Sequence, residues 1–264
     1  MNIPQGSRVE IRILADAGQV YRAAAYEFAR VVDAAVAASG SCTVCLSGGA
    51  TPRGLYSLLA VDAGLRERIP WGCIHFFWGD ERLVPPTHVD SNFHMAQDAM
   101  LSIAPVPASH VHRIRGECTD ARRAAEEYEE VLRDFFRLAD GQLPRFDLVL
   151  LGLGADGHIA SLFPGTQALR EEKRFVVANR MCRSSAERIT MTAPALNNAD
   201  RVIFLVEGET KAAALKAVME GPYEPDRWPA QLIRPEHGTL LWLADRAAAR
   251  LLTPQRRRPK PPSR

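Results

Sequence analysis

The run Phe146-Asp147-Leu148-Val149-Leu150-Leu151-Gly152-Leu153 constrains this chain more than any other stretch. It is too apolar to face water on either side and too short for a helix, so it reads as a strand buried on both faces. Further strand-like runs fall at 9–14, 42–47, 73–78, 110–114, 175–179, 187–192, 201–206 and 238–244. Between them lie helical stretches at 19–39, from about Pro52, and at 93–104, 119–136, 209–220 and 245–252. In the first helix Val20, Ala24, Phe28, Val31, Val32 and Ala35 recur at helical spacing, and Gly40 ends it. This alternation predicts an α/β fold: a doubly wound, mainly parallel sheet with helices on both faces, Rossmann-like in layout. No repeat or linker divides residues 1–252, which are expected to form a single α/β domain. Residues 253–264, TPQRRRPKPPSR, read as a basic, Pro-rich, disordered tail.

That tail distorts the net charge of +2: without its five basic residues the body carries 28 basic against 31 acidic groups. A mildly acidic body argues against nucleic acid as a partner. The N-terminus lacks the basic and apolar regions of a signal peptide, and no run approaches the ~18 apolar residues of a membrane span. A cytoplasmic protein with no membrane partner is expected. Cys42, Cys45, Cys73, Cys118 and Cys182 are dispersed, with no second CxxC to complete a zinc site, and read as buried free thiols. Trp71, Trp78 and Trp242 flank strands and read as core. His110 and His112 share a strand face but lack a third ligand nearby in sequence, so no metal is expected.

Ligands of such sheets sit beyond the carboxyl ends of strands, so chemistry is expected in the strand-to-helix loops. Leu46-Ser47-Gly48-Gly49-Ala50-Thr51-Pro52 combines close-approach glycines, hydroxyls and a Pro suited to a first helical turn. It is equally compatible with an anion site at a helix N-terminus and with a plain turn capped by Thr51. Trp78-Gly79-Asp80-Glu81-Arg82 places bare charge directly after an apolar strand, for substrate binding or for a capping salt bridge of Asp80 or Glu81 with Arg82. Lys211 follows a strand in Val206-Glu207-Gly208-Glu209-Thr210-Lys211, in a first helical turn that disfavours cations; it either meets an anion or is solvated.

Gly152-Leu-Gly154-Ala-Asp-Gly157 matches the dinucleotide fingerprint in letters only. Pro164-Gly165 breaks the chain where a long helix should follow, and the next strand offers Asn179 where a ribose-binding acid is required. There remains Asp156-Gly157-His158, a carboxylate two residues from an imidazole. Such a pair makes His158 either a general base oriented by Asp156 or a structural histidine.

Together the segments LSGGATPRGLY (46–56), WGDERLVPPTHVDSN (78–92), LLGLGADGHIASLFPG (150–165), RITMTAPALNNADRVIFLVEGETKAAAL (188–215) and LIRPEHGTLLWLAD (232–245) resemble the 6-phosphogluconolactonases. These belong to a superfamily shared with the glucosamine-6-phosphate deaminases. Ala155 departs from the Glu or Pro usual before Asp-Gly-His, and the basic tail is extra. The resemblance implies hydrolysis of a small-molecule phosphosugar lactone with no metal or organic cofactor. His158 and Asp156 would be catalytic. Ser47, Gly48, Gly49, Thr51 and Lys211 would hold phosphate, with Asp80 and Arg82 contacting substrate and one of Arg180, Arg183 or Arg188 helping, Arg188 being preferred. A monomer or weak dimer is expected, the sequence leaving oligomeric state open.

Two other functions bear on the same residues. A deaminase of this superfamily carries a Glu five residues after the histidine, where this chain has Phe163, which relays no proton. A non-catalytic sugar-phosphate sensor would need a DNA-binding partner domain, and no helix-turn-helix is expected before the first strand or in the short basic tail.

Overall fold

The computed structural model describes residues 8–180 and 186–254. Its larger sheet has seven strands: β1 Arg8–Leu14, β2 Cys42–Leu46, β3 Ile74–Trp78, β5 Val111–His112, β6 Leu148–Gly152, β9 Arg201–Val206 and β10 Thr239–Asp245. They lie in the order β1-β10-β9-β6-β2-β3-β5, and every neighbouring pair is parallel. From β2 the chain steps outward to β3 and β5, whereas from β6 it steps the other way to β9 and β10. The winding therefore reverses between β2 and β6, and a crevice opens beyond their carboxyl ends.

Burial follows the apolar runs. All of β2 and Leu148–Leu151 of β6 are buried, as are Trp71, Trp78 and Trp242. Helix α1, Ala17–Ser39, buries the expected stripe from Val20 to Ala35; Asp16 caps its start and Gly40, in the left-handed region, its end. Cys42 and Cys45 are buried, and desolvation pushes both thiols well up. Cys73 and Cys118 are only half-buried, contrary to expectation, because both lie in connecting segments; Cys182 is outside the described residues.

Three strands do not join the parallel sheet. β4 (Asp80–Arg82), β7 (Val176–Arg180) and β8 (Glu187–Met191) form a separate antiparallel sheet in the order β4-β8-β7. For β7 and β8 the reason is chain length. The connection from Arg180 to Glu187 is far too short for a crossover and can join only antiparallel strands. Helix α5, Ala121–Phe136, packs against β7 and β8, and one apolar core runs through both sheets.

The remaining differences are local. The helical stretch 93–104 is α4, Asn92–Ala96, running into a π turn at Gln97–Leu101. The strand at 110–114 shrinks to β5, and the last helix to α8, Arg246–Ala249. Helix α3, Ala63–Arg68, buries none of its residues, so no apolar periodicity announces it. Helix α2 spans Ala50–Val61, α6 Ala193–Asn197 and α7 Ala212–Glu220. No helix among the described residues is long and apolar enough to cross a membrane. The tail expected at 253–264 lies, beyond Pro254, outside the described residues.

Candidate active site

The loops leaving β2 and β6 flank the crevice. After β2, Gly49 at φ 104° turns the chain into α2, a conformation a Cβ would strain. Gly49 itself is the N-cap, not Thr51, and no side chain caps the helix. Pro52 has no N–H and Arg53 N donates to the Gly49 carbonyl, so the N–H groups of Ala50 and Thr51 are left for a ligand. Tyr56, fully buried, accepts from Ser47 N and donates to the Ser47 carbonyl, each at 2.9 Å, fixing the loop and leaving the Ser47 hydroxyl uncommitted.

After β6 the chain folds back on itself. Gly154 N donates to the His158 carbonyl at 2.8 Å, and Gly157 N to the Gly154 carbonyl at 3.0 Å. Inside this closed turn His158 Nδ1 lies 2.6 Å from Asp156 Oδ1, which also accepts from His158 N at 3.2 Å. The hydrogen bond from His158 is the main cause holding the Asp156 carboxyl below its ordinary value. With Nδ1–H pointed at a carboxylate, the imidazole keeps its lone pair on Nε2. Gly154 makes this possible: a Cβ there would stand 2.1 Å from Nδ1 and 2.5 Å from Asp156 Oδ1. The glycines that imitate a dinucleotide fingerprint give room to the protein's own side chains. Phe163 completes the setting, its ring 4.8 Å from that of His158.

Both loops open on one cleft of about 590 Å³, lined by Ser47, Gly48, Gly49, Thr51, Asp80, Arg82, His158 and Lys211 among the expected residues. Asp156 meets it through His158. Lys211 makes no ion pair among the described residues. A larger cleft of about 700 Å³ lies between α5 and β7, but it contains none of these residues except at its remote Arg180 edge, and Arg174 and Arg180 there are paired with acids. Chemistry, not size, marks the first.

Asp80 is buried, with Oδ1 accepting from Asn92 Nδ2 at 3.2 Å and Oδ2 from the Ser161 hydroxyl at 2.7 Å. It ties the His158 loop to β4. Glu81 makes no salt bridge with Arg82; it caps α4, accepting from Asn92 N, Phe93 N and the Ser91 hydroxyl as well as from Arg82 N. Burial pushes its carboxyl up, and those donors oppose the shift. Arg82 donates to the Asp90 carbonyl and stands opposite Arg188 across the β4–β8 pair. Arg188 does not line the cleft. Burial and then Arg82 lower its affinity for its proton, and the nearby carboxylates of Asp80, Asp90 and Glu81 only partly oppose the shift. Arg180 is turned to Glu187 at 3.5 Å, and Arg183 lies outside the described residues.

Several cleft residues escaped the sequence reading, among them Asn92, Glu207 and Tyr21. Asn92 and Glu207 sit inside recognisable segments but carry no pattern of their own, and Tyr21 is off the buried stripe of α1, where only its polarity hints at a role. Away from the cleft, the third histidine missing beside His110 and His112 is His75 of β3. Its ring stacks on His110 at 3.9 Å, and its Nδ1 is 3.2 Å from His112 Nε2. Among the described residues no group of three or more such side chains is arranged to hold a metal ion.

Comparison with known proteins finds relatives over most of the chain. Residues 15–242 match the family described as glucosamine-6-phosphate isomerases/6-phosphogluconolactonase. A 6-phosphogluconolactonase of Synechocystis is 42% identical over 220 residues, covering 83% of this chain and 88% of that one. Among solved structures, the devB protein superposes with a TM-score of 0.84 at 32% identity, covering 93% of this chain and all of its own. The 6-phosphogluconolactonase of Trypanosoma brucei superposes with a TM-score of 0.82 at 28% identity, covering 94% of this chain and 100% of its own. The chain therefore belongs to the glucosamine-6-phosphate isomerase/6-phosphogluconolactonase family.

Proposed function

We propose that this protein is a lactone hydrolase that converts 6-phospho-D-glucono-1,5-lactone to 6-phosphogluconate, with residues 1–252 acting as one catalytic domain. The phosphate lies against the Ala50 and Thr51 N–H groups, the Ser47 and Thr51 hydroxyls and Lys211, which draw it to the positive end of α2. Arg82, with Arg188 behind it, supplies further positive charge from the β4 side. His158 Nε2 takes a proton from water, the resulting hydroxide adds to the lactone carbonyl, and the tetrahedral intermediate collapses with cleavage of the bond to the ring oxygen. His158 returns the proton to that leaving oxygen, so the imidazole is regenerated. Asp156 holds the ring in the required tautomer and stabilises the imidazolium while it exists.

The observation that carries this reading is the 2.6 Å contact between His158 Nδ1 and Asp156, set in the same cleft as an uncapped helix start. General-base help is worth about 10²–10⁴-fold, and a lactone already reactive toward water needs little more. The deaminase reaction is disfavoured by Phe163, whose apolar ring occupies the flank of His158 where a relaying carboxylate would be required. The test is hydrolysis of freshly generated 6-phosphogluconolactone, with the product oxidised in a coupled assay beside an enzyme-free blank. A rate well above the blank is expected. A rate equal to it contradicts the reading, and ammonia release from glucosamine-6-phosphate is then the next assay.

A further inference from the structure

The cleft has a wall that the mechanism above does not use. Tyr21, near the start of α1, donates its hydroxyl proton to Glu207 Oε2 at 2.5 Å, and both residues line the cleft. Gly54 shows what the chain gives up to seat the tyrosine. It lies inside α2, where glycine is disfavoured relative to alanine, yet a Cβ there would stand 2.3 Å from Tyr21 Cζ. Burial, and next the bond to Glu207, push the Tyr21 hydroxyl well above its usual range, so its proton stays in place. Among the described residues Glu207 Oε1 makes no hydrogen bond, and Glu207 forms no ion pair with Lys211 or any other cation.

Resting on the lactonase reading, we propose that Tyr21 and Glu207 form a hydroxyl-reading patch that selects the sugar portion of the phosphosugar substrate. The tyrosine's only proton is committed to Glu207, so the pair offers the cleft nothing but acceptors. The helix start, Lys211 and Arg82 offer donors. A phosphate, which is all acceptor, is repelled by the pair and drawn to the donors; sugar hydroxyls are the donors the pair accepts. The cleft thus reads both the position of the phosphate and the hydroxyls carried beside it.

The test compares wild type with Tyr21→Phe, which keeps the ring against Gly54, and with Glu207→Gln, which turns one acceptor into a donor. For the lactone, KM is expected to rise about five-fold in Tyr21→Phe and about ten-fold or more in Glu207→Gln. The kcat should stay within about two-fold, and the inhibition constant of inorganic phosphate should not change. An unchanged KM with a lower melting temperature would mean the pair is only a staple between α1 and the 207–211 loop, overturning the proposal. So would a parallel loss of phosphate affinity, which would place the pair at the anion. Calorimetric binding of 6-phosphogluconate and of inorganic phosphate to the same variants reads the patch even if wild-type turnover fails. Selective weakening of the sugar phosphate is expected there as well, and its absence would overturn the patch independently of the lactonase reading.

Discussion

Two glycine-bearing loops leave neighbouring strands at the same crevice, and Gly49 of the first and Gly154 of the second are used in opposite ways. Gly48, like Gly154, gives room to a side chain of the protein, that of Asn92. After β2, Gly49 turns outward with only Pro52 near its missing Cβ, and exposes the start of the 12-residue helix α2 to a ligand. After β6, the missing Cβ of Gly154 is filled by His158 and Asp156, and that of Gly157 by Trp228. On the proposed reading the first loop presents its backbone to substrate; the second packs the protein's own side chains into a fixed acid–imidazole pair. A G-x-G-x-x-G pattern thus signals a phosphate turn only when it runs into a long helix. Here it is the loop without the pattern that does so.

Breaking the second loop should have the largest effect. His158→Ala should lower kcat by at least about 10²-fold while 6-phosphogluconate still binds, as calorimetry would show. Gly154→Ala comes next. Its methyl cannot coexist with the imidazole at 2.1 Å, and a displacement of that order costs about 10²-fold in kcat with little effect on phosphate affinity. In the first loop the expected signature is different. Lys211→Ala should raise KM and the phosphate inhibition constant together by about ten-fold or more, with kcat far less affected.

Acid inactivation sharpens the contrast, because it has a source outside both loops. Burial, then His110 and His112, lower the His75 pKa to about 4. The unfolded chain therefore takes up this proton at about pH 6.5 while the folded protein resists it. Stability is fully present above pH 6.5 and falls as pH drops toward about 4. His75→Phe should flatten that fall in thermal melts and leave the pH–rate profile near neutrality unchanged. The smallest effect is expected at Ala160, a cleft residue held at φ 44°. Relief of backbone strain by Ala160→Gly, offset by unfolded-state entropy, should change stability by no more than about 1 kcal/mol.

Much of this was legible in the sequence. Buried strands such as 148–152 and the polar residues at their carboxyl ends follow from apolar runs punctuated by glycine. The antiparallel pairing of β7 with β8 was missed, although the short interval between Arg180 and Glu187 can hold no crossover, and nothing local announces that β4 joins them. Local patterns failed where a contact joins distant elements. Nothing near Tyr21 indicates that its hydroxyl meets Glu207, and nothing near Asp80 indicates that Ser161 and Asn92 occupy its carboxylate. Arg188 was named only through the resemblance to a known family, and register places it one strand behind the cleft wall.

The division of labour between the two loops is tested most directly by one paired measurement on His158→Ala and Lys211→Ala: kcat for the lactone, and the dissociation constant of inorganic phosphate by calorimetry. A crossed result is predicted, with kcat lost and phosphate binding retained in the first variant, and phosphate binding lost with kcat largely retained in the second. Proportional loss of both quantities in both variants would contradict it.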